Sequence, residues 1–223
     1  MMMMKNHILR RLVSIYITSF LLASTTVALA EYKPPPDQRP PTGRTTTTGG
    51  RGGCDSNGEI SLKLLAPQYH VGQTTSIRPT FAWFVPDSKP LLMYFRIYKY
   101  DDKREPQLQQ QFEMQSKYGI MTLALPKNQP SLEVGARYLW QVAILCDSDQ
   151  PANDLLAMAE MDVVKMPAQV RFVSDDRANI DILAASGLWY DALGEALRTG
   201  QKEAVSELMN NLDTLETPKT AQP

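Results

Sequence analysis

Between Glu59 and Met166 the apolar residues recur at every second position within short runs, and each run ends in proline, glycine or acidic turn residues. A period of two puts successive side chains on opposite faces of a strand, so each run has one face to bury. Leu62, Leu64 and the residues up to Pro67 make a first strand, and Phe81, Trp83 and Val85, bracketed by Pro79 and Pro86, make a second. Met93, Phe95 and Ile97 give a third, which turns through Asp101-Asp102-Lys103-Arg104-Glu105-Pro106 into Leu108–Met114. Met121, Leu123 and Leu125 form another, stopped by Pro126. Tyr138, Trp140, Val142, Ile144 and Cys146 line one face of the longest strand, and Leu155–Lys165 offers the last. Seven short antiparallel strands predict a mainly β fold, a β-sandwich of immunoglobulin or fibronectin III type over residues 54–166. Trp83 and Trp140 are placed as core tryptophans of two facing sheets. The spacing from Leu132 to Tyr138 is that of a tyrosine corner, in which a Tyr hydroxyl bonds back to the preceding backbone.

After Met166-Pro167 the period becomes helical. Ile180, Leu183 and Ala184 mark a first helix, ended at Ser186-Gly187. Trp189, Ala192, Leu193, Ala196 and Leu197 follow at the spacing of one buried stripe, and Thr199-Gly200 stops that helix. Val205, Leu208, Met209 and Leu212 mark a third. The stretch Leu183–Leu193 resembles the inner turn of a tetratricopeptide repeat, but no second copy follows, so no solenoid can form. A TPR-like hairpin over 167–215 must therefore cap the sandwich, pair with another chain, or both, with 216–223 left as a polar tail.

The first thirty residues carry Lys5, Arg10 and Arg11, an apolar stretch from Leu12 to Ala23, and an Ala28-Leu29-Ala30 site before Glu31. That order is a cleavable secretory signal, and the hydroxyl-rich segment to Ala30 makes a poor membrane anchor. Residues 31–53 hold Pro, Thr, Gly and Arg with almost nothing apolar, the composition of a disordered tether. Export places the mature chain in the periplasm or outside the cell, with no further membrane span. The three basic residues of the signal leave 20 basic against 24 acidic, a net charge of −4, with no basic stripe for nucleic acid. In an oxidising compartment the two cysteines, Cys54 and Cys146, are most simply a disulfide.

The mature chain as a whole resembles a family catalogued as domain of unknown function 928, found mainly in exported proteins of cyanobacteria. The matching pieces are the Arg51-Gly-Gly-Cys54 start, Arg78–Pro86, Leu132–Trp140, Cys146-Asp147 and Gly187–Leu193. The resemblance implies the cysteine pairing and the helical tail, and no reaction.

Chemistry-bearing constellations are few. The mature chain has one histidine, His70, placed in a loop after Pro67 as a surface residue, so no Ser or Cys has a ready base. Neither a phosphate loop nor a metal-ligand spacing is present, and no cofactor is expected. Asp101-Asp102, Asp147 with Asp149, and Asp175-Asp176 are the acidic pairs a glycosidase-like hydrolase would draw on, although their positions read as a hairpin turn and a helix start. Asp147, Asp149, Asn153 and Asp154 match no calcium loop.

Tyr94, Tyr98 and Tyr100 face away from Met93, Phe95 and Ile97 and make a candidate partner-binding ladder. Trp189 and Tyr190, flanking the helical turn, are further candidates, with packing the competing role for Trp189. The expectation is a non-catalytic binding or scaffold module for envelope protein or polysaccharide. A carboxylate-dependent hydrolase of surface glycan, or a structural subunit of a homo-oligomer, is the alternative. The intact mass of the exported protein should begin at Glu31; a species that retains residues 1–30 and fractionates with membranes would contradict the cleavage reading.

Overall fold

The alternating runs become strands because each has a single apolar face and the two sets of faces can meet. The computed structural model describes residues 31–36, 40–42, 54, 61–147, 149 and 153–217. The signal segment, most of the tether, residues 55–60 and the end of the tail lie outside the described residues. Among the described residues eight strands form: β1 (Lys63–Leu64), β2 (Gly72–Thr74), β3 (Thr80–Val85), β4 (Leu92–Tyr100), β5 (Pro106–Gln115), β6 (Gly119–Ala124), β7 (Arg137–Ile144) and β8 (Leu155–Val163). They make a three-stranded sheet in the order β1-β3-β6 and a five-stranded sheet in the order β2-β8-β7-β4-β5. Three helices follow: α1 (Asp176–Ala185), α2 (Trp189–Arg198) and α3 (Lys202–Glu216).

One strand departs from the sequence expectation. β2 pairs in parallel with β8, Gly72 opposite Met161, so the set is not wholly antiparallel. Its Gly-Gln-Thr sequence has no apolar alternation to reveal it, and its place depends on a neighbour distant in sequence. A Cβ on Gly72 would lie 2.7 Å from Cε2 of Tyr190, so glycine is what lets α2 approach this edge.

The sheets meet through aromatic side chains. Phe81 on β3 lies 5.0 Å from Phe95 on β4 and 5.1 Å from Trp140 on β7, centroid to centroid. Trp83 stacks on Phe95 at 5.5 Å, and both core tryptophans are fully buried. At the start of β7 the Glu133 N–H donates to the Tyr138 hydroxyl at 2.9 Å, the bond that the Leu132–Tyr138 spacing predicts. Cys54 and Cys146 are joined, with 5.1 Å between their Cα atoms and a sequence separation of 92.

The helices form where the period changed. Asp175 caps α1 by accepting from the Ala178 N–H at 2.7 Å, and Gly187, at φ +79°, ends the turn after it. Tyr190 on α2 reaches between the sheets, 6.1 Å from Phe81 and 6.3 Å from Trp140. Its hydroxyl accepts from Trp140 Nε1 at 2.8 Å and lies 3.4 Å from the Glu160 carbonyl. Trp189 beside it donates Nε1–H to the Leu65 carbonyl at 2.9 Å. One cluster of buried residues runs from Leu62 through Trp140 to Leu212, so the boundary expected at 166/167 does not divide the core.

Two expectations are corrected at the N-terminal side. Within the stretch read as a disordered tether, Tyr32 is 1% exposed and meets Trp189 edge-on at 4.9 Å. The Lys33 N–H donates to the Ala184 carbonyl at 3.1 Å, and Pro35 lies against Gly187. Tyr32, Lys33 and Pro35 together anchor residues 32–35. His70, expected on the surface, is 4% exposed, with Nε2 2.8 Å from the Tyr32 hydroxyl. Burial raises the Tyr32 phenol above its ordinary value, so the hydroxyl is the donor and His70 the acceptor.

Burial also lowers His70 to about 4. The Glu216 carboxylate, 3.8 Å from Nδ1, is beyond hydrogen-bond distance and does not restore the lost hydration. An unfolded chain protonates an ordinary imidazole near pH 6.5, so between about 6.5 and 4 the unfolded state binds more protons than the folded one. The stability held by neutral His70 is therefore complete above about pH 6.5 and is lost as the pH falls toward 4. Glu216, raised by burial, opposes part of this, because it takes up its proton earlier in the folded chain. Thermal unfolding of the wild type should fall more steeply between pH 7 and pH 4 than that of His70→Gln, by up to about 1.4 kcal/mol per pH unit. Parallel pH profiles would contradict the buried neutral imidazole.

Candidate functional site

The outer face of β4 gathers the predicted tyrosine ladder with polar partners from both neighbouring strands. In β4 the core face carries Met93, Phe95 and Ile97, so Tyr94, Arg96 and Tyr98 point outward and are half-buried. The Arg96 guanidinium lies 4.9 Å from the Tyr94 ring centroid. Its Nε donates to Gln111 Oε1 of β5 at 2.7 Å and its Nη1 to Gln141 Oε1 of β7 at 3.0 Å. The Tyr98 hydroxyl lies 3.5 Å from the same Gln141 oxygen. Register places these groups side by side: Arg96 is opposite Gln111 on one flank and Gln141 on the other. A register shift at Ile97/Tyr98 locally twists the strand.

Further along the same face, Tyr100 leaves the ladder for a different environment. Its hydroxyl donates to Glu160 Oε1 at 2.8 Å, and Glu160 is fully buried although it lies on β8. Burial first, and then the bond to Glu160, raise the Tyr100 phenol. Arg137 bridges the carboxylates: Nη1 is 3.5 Å from Glu160 Oε2, and Nε and Nη2 donate to the two oxygens of Asp162, each at 2.8 Å. The bidentate bond to Asp162 raises the Arg137 guanidinium above its ordinary value. Beside this cluster opens a cleft of about 660 Å³. Tyr100, Arg137 and the β4–β5 turn form one side, and Pro40 and Pro41 close it from the N-terminal segment.

From Tyr94 to Tyr100 the strand runs about 20 Å at the usual rise per residue. The resulting strip is aromatic, guanidinium and amide in alternation, with its side chains held in place by cross-strand bonds. Such a surface stacks on flat apolar faces and exchanges hydrogen bonds with hydroxyls or peptide groups.

The acidic pairs serve the backbone. Asp101 Oδ1 accepts from the N–H groups of Lys103 and Glu105, each at 2.9 Å, and Asp175 caps α1. Asp147 accepts from Asp149 at 2.9 Å and Asp154 from Cys146 at 3.0 Å. Among the described residues no three His, Cys, Asp or Glu side chains converge as a metal site. Another candidate is corrected outright. Trp189 and Tyr190 are 0% and 1% exposed, so neither ring is available to a partner. Helical spacing placed Trp189 on the packing face, and that face is the one used. Arg96, Gln141 and Arg137 escaped sequence reading because their partners lie on other strands, 15 to 45 residues away in sequence; only the outward parity of Arg96 with Tyr94 and Tyr98 could have signalled it.

Fold and surface together define a mainly β protein of two packed sheets closed by three C-terminal helices. The chain belongs to the DUF928 family, Domain of Unknown Function, whose model matches residues 46–215, well over half of its length. No curated protein and no solved structure matched.

Because Trp189 fills the junction of α2 with the loop after β1, Trp189→Ala should cost about 3–5 kcal/mol. The variant should unfold at lower temperature and be cleaved faster after Met166. A variant of full stability would contradict the packing role.

Proposed function

We propose that the mature chain is an exported, non-catalytic binding module of the cell envelope. It holds an extended ligand along the Tyr94–Tyr100 face of the five-stranded sheet. The observation that carries this reading is the Tyr94, Arg96 and Tyr98 strip, clamped from both sides by Gln111 and Gln141 while still half-exposed. Of the two partner classes, protein and polysaccharide, this chemistry favours a glycan, whose sugar faces stack on tyrosine and whose hydroxyls pair with amide and guanidinium groups. Export is supported by the Cys54–Cys146 bridge, a bond that persists in oxidising compartments.

An immunoglobulin- or fibronectin III-like identity for the sheets draws support from the order β8-β7-β4-β5 beside β1-β3-β6 and from the Tyr138 bond to Glu133. The TPR-like reading of the hairpin draws support from Gly187, where α1 and α2 turn. The hydrolase alternative has less behind it, since the acidic pairs act as turn and cap acceptors and Glu160 and Asp162 share Arg137.

The test is titration of the intact mature protein with polysaccharide isolated from the envelope of its own source cells. Tyr94→Ala and Tyr98→Ala should each weaken binding about tenfold, the size of one lost aromatic contact, with unfolding temperature unchanged. Binding that survives both substitutions, or no binding by the wild type, would overturn the assignment.

A further inference from the structure

The two open edges of the paired sheets are treated differently. β1 packs by β8, and α2 enters on that side, where Tyr190 seals the core between Phe81 and Trp140. The opposite edge is formed by β5 and β6, each the last strand of its sheet. Among the described residues nothing pairs with the free side of either. The core face is correspondingly thin there. Phe81, Trp83, Phe95 and Met93 are fully buried, but their neighbours Phe112, Met114, Met121 and Leu123 are only partly covered. Outside, Tyr118 and Ile120 are 65% and 52% exposed.

β6 lacks the devices that protect an edge. Gly-Ile-Met-Thr-Leu-Ala contains no charge and no proline, and its pairing with β3 runs without a register break from Thr80/Ala124 to Val85/Gly119. β5, by contrast, begins with Pro106, carries Glu113 and is interrupted by the register shift. An unguarded neutral edge flanked by half-covered apolar side chains fits an added strand.

We propose that β6 is a homodimer contact, in which two copies pair their β6 strands antiparallel across a two-fold axis at Met121 and join their three-stranded sheets into one of six strands. A second copy is the occupant because it brings an equally neutral β6 to this edge, so that within the paired strands no charge meets a like charge. Continuous sheets also require that opposed residues share a face, so the two positions must have the same parity. Centring on Met121 sets Ile120 against Thr122 of the second copy and Gly119 against its Leu123. It also lays Tyr118 over the second copy's exposed Ala124. Lys117 then meets Leu125 of the second copy, whereas centring on Thr122 would oppose Lys117 to Lys127. The helices, consumed in sealing the other edge, take no part in this contact.

The test is sedimentation of the intact mature protein across a concentration series, with two variants. Thr122→Lys alters an exposed side chain and should weaken dimerisation about tenfold or more, while circular dichroism and the unfolding temperature measured at concentrations where the wild type is monomeric stay unchanged. The double variant Ile120→Cys, Thr122→Cys should form a reductant-sensitive dimer on a non-reducing gel. Cysteines two apart on one strand are too far separated to bridge within a chain, and the native Cys54–Cys146 bond is internal. A wild type that is monomeric at every concentration overturns the proposal, as does a dimer untouched by Thr122→Lys. Should that variant misfold, the cysteine pair decides: failure to cross-link overturns the proposal. None of these outcomes bears on the Tyr94–Tyr100 face, which lies on the other sheet.

Discussion

Everything in this protein depends on a tyrosine inserted where two sheets fail to close. Two packed sheets of unequal width leave an open side, and the core behind it contains Phe81 and Trp140. Tyr190 fills that opening with its ring and satisfies the one polar atom that Trp140 brings into the core, accepting its indole N–H at 2.8 Å. An apolar residue of the same bulk would leave that N–H buried without an acceptor, a cost of about 1–3 kcal/mol. The close approach is possible because Gly72 has no side chain. The helices are thus the third wall of a single core.

The same junction recruits the N-terminal segment. Trp189, fixed by its bond to the Leu65 carbonyl, presents an edge to Tyr32, and Tyr32 in turn reaches His70. A chain of aromatic contacts links residue 32 with the loop after β1 and with α2, and Glu216 at the end of α3 approaches from the far side. Glu216 also accepts the N–H groups of Gln68 and Tyr69, so the C-terminal helix holds the loop that holds the histidine. Stability therefore draws on both ends of the described chain, as does its sensitivity to acid.

The outer face of the five-stranded sheet is organised by a different rule. Burial orders the inner residues, whereas cross-strand hydrogen bonds order the outer ones. Arg96 is held over the outer face by two glutamine oxygens, and Glu160, buried on an outward position, is met there by Tyr100 and Arg137. Side chains fixed before a ligand arrives lose less entropy when it binds. A pre-ordered strip of this kind fits the binding role proposed above.

Period alone determined most of the architecture. Phe81, Trp83 and Val85, or Trp189, Ala192, Leu193 and Ala196, state in sequence which face is buried, because apolar spacing is a local property. The two-cysteine count and the Leu132–Tyr138 interval were equally legible, being resolved by short-range chemistry and by the absence of other partners. Tertiary structure decided what has no local signal. β2 is three residues whose pairing exists only beside β8, and Tyr32 and His70 look like a tether residue and a surface histidine until the Trp189 ring is placed between them and the core. Of the candidate site, the outward parity of Tyr94, Tyr98 and Tyr100 was readable, but Gln111, Gln141, Arg137 and Glu160 were not. Sequence fixes the face on which a residue points; only the strand order fixes its neighbours there, and that order is set by the packing of the whole core.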